Sequence, residues 1–444
     1  MLALRVLSRV EQVRAFADLS LHAALAQSEL AAADRALATE LVYGTLRWRG
    51  RLDFLLSSVS DRKLDELDPL VRSTLRVGAY QLVFSDRIPA SAAVDESVRC
   101  VQAAGAERAS GYVNAVLRRL AVEHGSMLLP DLVTDPLGHL MHALSLPAWL
   151  AERWIERFGA TEAAALAESL NRVPPRGVRT NRLRGSRDAL LAELRERHPD
   201  AAACRFSPDG IVLGRRGDPG LDPAFREGRF TIQDEASQLV VELLDPRPGE
   251  RVLDACAAPG GKATAIAERI GRDGSVRALD RHERRLGLLM RDTRRLGLEN
   301  ISAETRDASQ PLPERLVAGG FDRVLVDAPC SGLGTLRRNP DARWRVQPGD
   351  VPRLAELQLA ILRSVAPALK PSGALVYSTC TLLPEENEAV VEAFLRDAPG
   401  FRLVPRSALP ASVQPLTEEA GFMRLFPHRH DTDGFFAARI ERCP

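Results

Sequence analysis

From residue 1 to about residue 125, apolar residues recur three and four positions apart in ALRVLSRV, SLHAALAQSEL, ALATELVYGTLRW, LDFLLSSV, LVRSTLRVGAYQLVF and SAAVDESVRCVQ. That spacing lines one face of an α-helix, so the pattern predicts an all-helical bundle over residues 1–125. Pro69 and Pro89 mark helix starts, where the missing amide hydrogen costs nothing. Residues 126–145 mix glycine, proline and apolar positions and read as a linker packed on its neighbours. PAWLAERWIERFG then reads as a short helix, GVRTNRL as a strand, SRDALLAELRER as a helix and GIVLG as a strand, which makes a small α/β unit over residues 146–230. From 231 to 444 strands alternate with helices: RVLDACA, SVRALD, NISAETRD, RVLVDAPC and ALVYSTC are separated by helical patterns such as ERRLGLLMRDTRRLG and AELQLAILRSVAPALK. Alternation of that kind predicts a Rossmann-like, doubly wound and mainly parallel sheet, with ligands at the carboxyl ends of its strands.

Composition narrows the class. The chain has 444 residues, 45% of them apolar, enough for several packed domains. Its N-terminus is amphipathic and charged, and no run reaches the length of a membrane span, so a cytoplasmic protein is expected. Six cysteines without a CxxC spacing argue against a disulfide framework and a zinc site, and no metal is expected. The net charge of +1 leaves nucleic-acid binding open, since a neutral total can hide a basic face. Of 60 basic residues only Lys63, Lys262 and Lys370 are lysines, a bias that a GC-rich coding sequence explains. Lys262 nevertheless falls inside the most informative motif.

That motif, VLDACAAPGGKATAIAERIG, is a strand, a glycine turn and a helix, the layout that brings backbone amides close to a nucleotide. Gly260 and Gly261 permit the approach because neither carries a Cβ. Asp280 ends the next strand about twenty residues on, where a carboxylate can accept from ribose hydroxyls. The loop lacks the third glycine of GxGxxG and the Ser or Thr that follows a Walker lysine, so S-adenosylmethionine fits it better than NAD or ATP. Asp307, at the end of NISAETRD, is placed to meet the adenine amino group.

Two cysteines lie just past buried strands: Cys330 in FDRVLVDAPCSGLGT and Cys380 in GALVYSTCTLLPEEN. Carbon 5 of cytosine is inert toward a methyl donor until a thiolate adds to carbon 6, and a base must afterwards take the carbon 5 proton. A strand-end cysteine beside an acid meets that need. Asp327 is expected to hydrogen-bond the cytosine edge, with Lys262 near the thiolate. These residues alone leave open which cysteine attacks. Cys100, Cys204 and Cys443 read as core thiols, and Cys256 as part of the cofactor loop. RRNPDARWR combines arginines with an aromatic, as sites for splayed RNA do, so Arg337, Arg338, Arg343 and Trp344 are expected RNA contacts, with LRWRGR (46–51) as a second cluster.

DACAAPGGK, DAPCSG, RRNPDARW and STCTLLPEENE resemble the motifs of the Nol/Nop/Sun family of RNA cytosine-5 methyltransferases. LVYGTLRW, LDPLVRSTLRVGAYQL and GYVNAVLRRL resemble the NusB-like helical domain that precedes them in its bacterial ribosomal RNA branch. The resemblance implies an S-adenosylmethionine-dependent enzyme acting on RNA, 16S ribosomal RNA in particular, and the chain is expected to be a monomer. It makes Cys380 the nucleophile and Cys330 the residue that assists product release. It assigns the cofactor to Cys256, Ala257, Ala258, Pro259, Gly260, Gly261, Lys262, Asp280, Asp307 and Asp327. The competing readings are a tRNA cytosine-5 methyltransferase and a non-enzymatic, NusB-like RNA-binding factor.

Overall fold

A computed structural model describes residues 1–214 and 218–444; three residues of the small α/β segment, 215–217, lie outside the described residues. The chain divides into two compact units, residues 1–173 with 336–347, and residues 174–335 with 348–444.

The first unit is helical. Its main helices are Leu2–Val13, Ala17–Ala26, Ala32–Val59, Pro69–Phe84, Ala90–Ala103 and Ser110–Glu123. Asp68 caps the fourth by accepting from the Leu70 amide at 2.8 Å, with Pro69 following it as expected. Leu52, Leu56, Leu75, Leu117 and Leu120 close the core without solvent exposure. Residues 126–145 are a packed part of this unit and run through short helical turns, with Leu140 and Ser145 buried. Helices Ala148–Phe158 and Ala160–Asn171 also belong here by their contacts, so the packing boundary falls later than residue 146, where the sequence pattern changes. No described helix is long and apolar enough to cross a membrane.

The second unit holds two sheets. The smaller is antiparallel, built from β1 (Arg176–Thr180), β2 (Ala202–Ala203), β3 (Gly210–Leu213) and β4 (Phe230–Ile232) in the order β2-β3-β1-β4, with helix Arg187–Arg197 after β1. The larger comprises β5 (Arg251–Asp254), β6 (Ser275–Asp280), β7 (Ile301–Thr305), β8 (Phe321–Asp327), β9 (Leu369–Thr379), β10 (Phe401–Leu403), β11 (Phe422–Leu425) and β12 (Phe435–Arg442). Strands β7-β6-β5-β8-β9 are parallel and in that order. β12 then runs antiparallel to β9, and β10 and β11 share its outer edge. The sheet is therefore mixed. Its last three strands were not anticipated, because FFAARIER lacks the helix that introduces each parallel strand. The central strands are buried on both faces, with Leu253, Leu279, Val324, Leu325, Val326, Leu375 and Val376 fully covered, which suits near-continuous apolar runs.

Candidate active site

Five parallel strands deliver their carboxyl ends to one edge. β5 ends at Asp254 and leads into the loop before helix Gly261–Ile270, β6 ends at Asp280, Asp307 follows β7, Asp327 ends β8 and Cys380 follows β9. A cleft of about 250 Å³ opens there, lined among others by Cys256, Asp280, Asp307, Asp327, Cys330 and Cys380. Three strand-end acids and both singled-out cysteines thus meet in one place, although they are spread from residue 280 to residue 380 of the sequence.

The two sulfurs lie 3.4 Å apart, close enough for one thiol to donate to the other. The hydrogen bond to Cys380, reinforced by burial, pushes the Cys330 thiol well above its ordinary range, so Cys330 keeps its proton. Their loops are tied together through the backbone. The Ala328 amide donates to Ser378 O at 2.8 Å and the Gly334 amide donates to Cys380 O at 2.9 Å. Gly334 has no room for a side chain, since a Cβ there would sit 2.1 Å from Gly434 O. That close approach accounts for the second glycine of CSGLG.

Glu386, which the sequence reading did not single out, is fully buried beneath the pair. It accepts the Ser331 amide at 2.9 Å, the Ser331 hydroxyl, and Gln358 Nε2 at 2.9 Å. Gln358 Nε2 also donates to Pro329 O at 3.0 Å, and the Ser331 and Thr381 hydroxyls share a 2.8 Å hydrogen bond. One carboxylate therefore holds the residues flanking Cys330 and, through Ser331, the residue after Cys380. Burial raises the pKa of Glu386 against the opposing effect of these donors. Its position in PEEN was the available signal: an acid immediately after a strand-end cysteine turn.

Lys262 Nζ donates to Asp327 Oδ2 at 2.7 Å, while Ser378 Oγ donates to Oδ1 at 2.9 Å. Lys262 also lies over the Phe435 ring, 5.1 Å from its centroid. Its structural partner is thus Asp327, which lines the cleft. Asp280 accepts the His282 amide at 2.8 Å and the Ala258 amide at 3.3 Å, fixing the cofactor-loop backbone against β6. Asp307 accepts both the Ser309 amide and hydroxyl, and these hydrogen bonds lower its pKa. Gly260 adopts φ +119°, and a Cβ there would meet Leu289 at 2.5 Å, so only glycine serves. Arg179 on β1 was another unanticipated contributor: buried, it donates to Gly261 O at 2.6 Å and to Glu268 at 2.9 Å, bracing the helix that begins at the loop.

Asp254 is left unsatisfied. It is buried, and neither carboxylate oxygen has a hydrogen-bond partner. Burial first, then the nearby charge of Asp327, raises its pKa from the ordinary aspartate value of 3.8 to about 7. A carboxylate so placed is complementary to a cation brought in by a ligand.

The expected RNA contacts are corrected by their burial. Arg337 and Arg343 are buried inside the helical unit and cannot follow a phosphate backbone. Arg343 Nη1 donates to Ser145 O at 2.9 Å, Asn171 Oδ1 at 3.0 Å and Arg47 O at 3.1 Å. Trp344 Nε1 donates to Leu46 O at 2.7 Å, with Arg49 over its ring. Arg338 is partly buried within the same segment. LRWRGR, the second expected cluster, supplies the other side of these contacts, including Arg47 Nη2 donating to Arg337 O at 2.9 Å. Arginine and tryptophan act here as a staple of the fold.

Residues 241–441 match the family model for 16S rRNA methyltransferase RsmB/F, residues 1–122 that for the NusB family, and residues 146–218 that for the RsmF/B-like ferredoxin-like domain. The chain is 39% identical to the probable ribosomal RNA small subunit methyltransferase B of Synechocystis sp., covering 100% of this chain and 99% of that one. It is 38% identical to the protein of the same description from Bacillus subtilis, over 99% and 98%. Among solved structures it superposes on PH0851 with a TM-score of 0.83 at 28% identity, covering 99% of this chain and 98% of that one.

Proposed function

The chain belongs to the 16S rRNA methyltransferase RsmB/F family, and from that premise we propose that it moves a methyl group from S-adenosylmethionine to carbon 5 of a cytosine in 16S ribosomal RNA, through a transient bond between Cys380 and carbon 6. The observation that carries this reading is the pair of sulfurs 3.4 Å apart in the cleft lined by Asp280, Asp307 and Asp327. Methylation of an exocyclic amine requires no thiol. Alkylation of a pyrimidine carbon requires one thiolate, and a second thiol beside it suits the return of the first.

The residues of the loop fit the cofactor. Asp254, buried without a partner, is complementary to a cationic amino-acid moiety, Gly260 and Gly261 leave the backbone open, and Asp280 lines the cleft where a ribose would lie. When bound, S-adenosylmethionine supplies an electrophilic methyl on a sulfonium. Cys380 adds to carbon 6, and the electron pair of the C5–C6 double bond becomes available at carbon 5, which would take the methyl as its carbon–sulfur bond breaks, the pair remaining on the sulfur of the departing S-adenosylhomocysteine. Asp327, held by Lys262 and Ser378, is fixed against the cytosine edge. Loss of the carbon 5 proton then restores the double bond and expels the Cys380 thiolate. Cys330, which carries the proton between the two sulfurs, assists that departure. The target base must leave its stack for Cys380 to reach it.

Labelled S-adenosylmethionine and 16S RNA test the reading. The label is expected in 5-methylcytidine after nucleoside digestion. Cys380→Ala should lose on the order of 1,000-fold or more in rate while cofactor affinity holds. Cys330→Ala should accumulate a slowly migrating protein–RNA band on a denaturing gel. Undiminished transfer by Cys380→Ala would refute the covalent route.

A further inference from the structure

With the expected arginine cluster folded inward, a different surface carries the charge. We propose that the exposed face of helix Glu283–Leu296, continued by Arg184, is a strip that holds the phosphate backbone of the RNA beside the cleft. This rests on the reading of the chain as an RNA methyltransferase.

The helix has five arginines against two acids in a chain whose total charge is +1. An arginine-rich coding bias does not account for the imbalance. Helix Ala148–Phe158 sets two arginines against two glutamates, and helix Arg187–Arg197 three against three acids. Two of the five have structural work. Arg295 turns inward over Phe225, donates to Phe225 O at 2.7 Å and Phe230 O at 2.9 Å, and takes Asp292 as its ion pair at 3.1 Å. Arg285 reaches the cleft, donating to Ala258 O and lying 3.8 Å from Asp280.

Arg284, Arg291 and Arg294 remain. All three are exposed, and none has an ion-pair or hydrogen-bond partner for its guanidinium among the described residues. Their spacing puts them on one face, opposite Leu286, Leu289, Thr293 and Leu296, which are buried. The helix dipole explains cations in the last turn, so Arg294 alone would need no further reason. It does not explain Arg284, which sits in the first turn, at the positive end; Glu283 beside it is the acid that suits that position, and the two form no ion pair. Stability gains nothing from that placement; a polyanion would.

Both ends of the strip lead somewhere. At its start Arg281 and Arg285 line the cleft. At its end the exposed Arg184, from the loop after β1, lies over the helix terminus: a Cβ on Gly297 would be 2.8 Å from Arg184 Nη2. A 14-residue helix spans roughly 20 Å, the length of a short stretch of backbone. Leu288 is the exposed apolar side chain on this face, and the helix carries no aromatic for stacking. The strip is therefore suited to phosphates and not to base identity, and it would position RNA without selecting the cytosine.

The test is RNA binding as a function of salt, using a 16S RNA fragment and the full chain. Replacing Arg284, Arg291 and Arg294 together by Gln should flatten the log–log salt slope by about two, since each lost phosphate contact on a single strand removes about 0.7. At physiological salt the Kd and the KM for RNA should rise about tenfold or more, while kcat and the affinity for S-adenosylhomocysteine stay unchanged. The triple Lys variant should retain the slope. If the triple Gln variant is unstable, the single changes should each remove about 0.7 from the slope. A Gln variant that binds RNA with the parent's Kd and slope, while the parent methylates, overturns the strip and leaves the function standing. A parent that neither binds nor methylates RNA removes the premise, and the strip falls with it.

Discussion

Residues 328–335 and 336–347 follow one another along the chain and fold into different compact units. The first stretch presents Cys330 to the cleft and is tied to the Cys380 loop through Ser331, Gly334 and Glu386. The second inserts Arg343 and Trp344 among the helices of the N-terminal unit, where every named hydrogen bond of their side chains is to backbone oxygens or Asn171. Both stretches are rich in the residues that chemistry and RNA recognition use. What separates them is where their polar atoms end up: the thiols face a cleft, whereas the guanidinium, through Nη1, and the indole are turned to internal acceptors. Arginine beside an aromatic has no fixed meaning until its partners are known.

The largest effect that would sharpen this contrast is expected from Arg343→Ala. Its side chain is fully buried, and its loss leaves Arg47 O, Ser145 O and Asn171 Oδ1 without a charged donor. A cost of about 3–5 kcal/mol in stability follows. All four tryptophans, Trp48, Trp149, Trp154 and Trp344, lie in the helical unit, so tryptophan fluorescence in denaturant reads that unit alone. The unfolding midpoint should fall sharply, with S-adenosylhomocysteine affinity nearly unchanged. An unshifted midpoint together with weakened RNA binding would reverse the assignment and return Arg343 to the RNA.

Why one stretch was legible and the other misread follows from the same residues. Cys330 and Cys380 were legible because their signal is local: a buried apolar strand, then a polar turn with a nucleophile, at the edge where parallel sheets hold ligands. Arg343 carries no such local signal. Its acceptors lie 172 to 296 residues away in sequence, and composition cannot distinguish a guanidinium that meets phosphate from one that meets carbonyl. Glu386 was missed for a related reason, since its three donors come from two other segments. β12 was missed because its partner β9 precedes it by more than fifty residues without a repeated strand–helix rhythm.

A smaller effect is expected where the chemical stretch is held. Glu386→Gln keeps the shape but replaces an oxygen that accepts from Ser331 or Gln358 with a donor. Turnover should fall about tenfold, the equivalent of one lost hydrogen bond of about 1.4 kcal/mol. The KM for RNA, the tryptophan-reported midpoint and cofactor affinity should not move. The rate of Cys380 alkylation by iodoacetamide should change as well, because the sulfur pair loses its support. Unaltered kcat and unaltered alkylation would show that the two cysteine loops hold themselves.

The smallest effect tests a second version of the same contrast, between two buried charges without an ion-pair partner. Arg343 is answered by three internal acceptors, whereas Asp254 is answered by none. Arg343 is held through Nη1 alone, its Nε and Nη2 being buried without a partner, whereas both oxygens of Asp254 are left for the proposed ligand. Since the folded pKa of Asp254 is raised from 3.8 to about 7, the folded chain holds a proton between those values that the unfolded chain has released. Its contribution to stability is therefore greatest below the ordinary aspartate value and declines as pH rises toward 7. A cationic ligand inverts the sign, because it favours the ionised carboxylate and binding then releases the proton. The affinity for S-adenosylhomocysteine, whose amino group is the cation, should rise with pH by up to about tenfold per unit below 7 and level off above it. Titration calorimetry between pH 5.5 and 8 reads this directly. Asp254→Asn should bind more weakly at pH 8 and lose the pH dependence, while Arg343→Ala should keep it. A flat profile in the parent would mean that Asp254, like Arg343, belongs to the fold and not to the ligand.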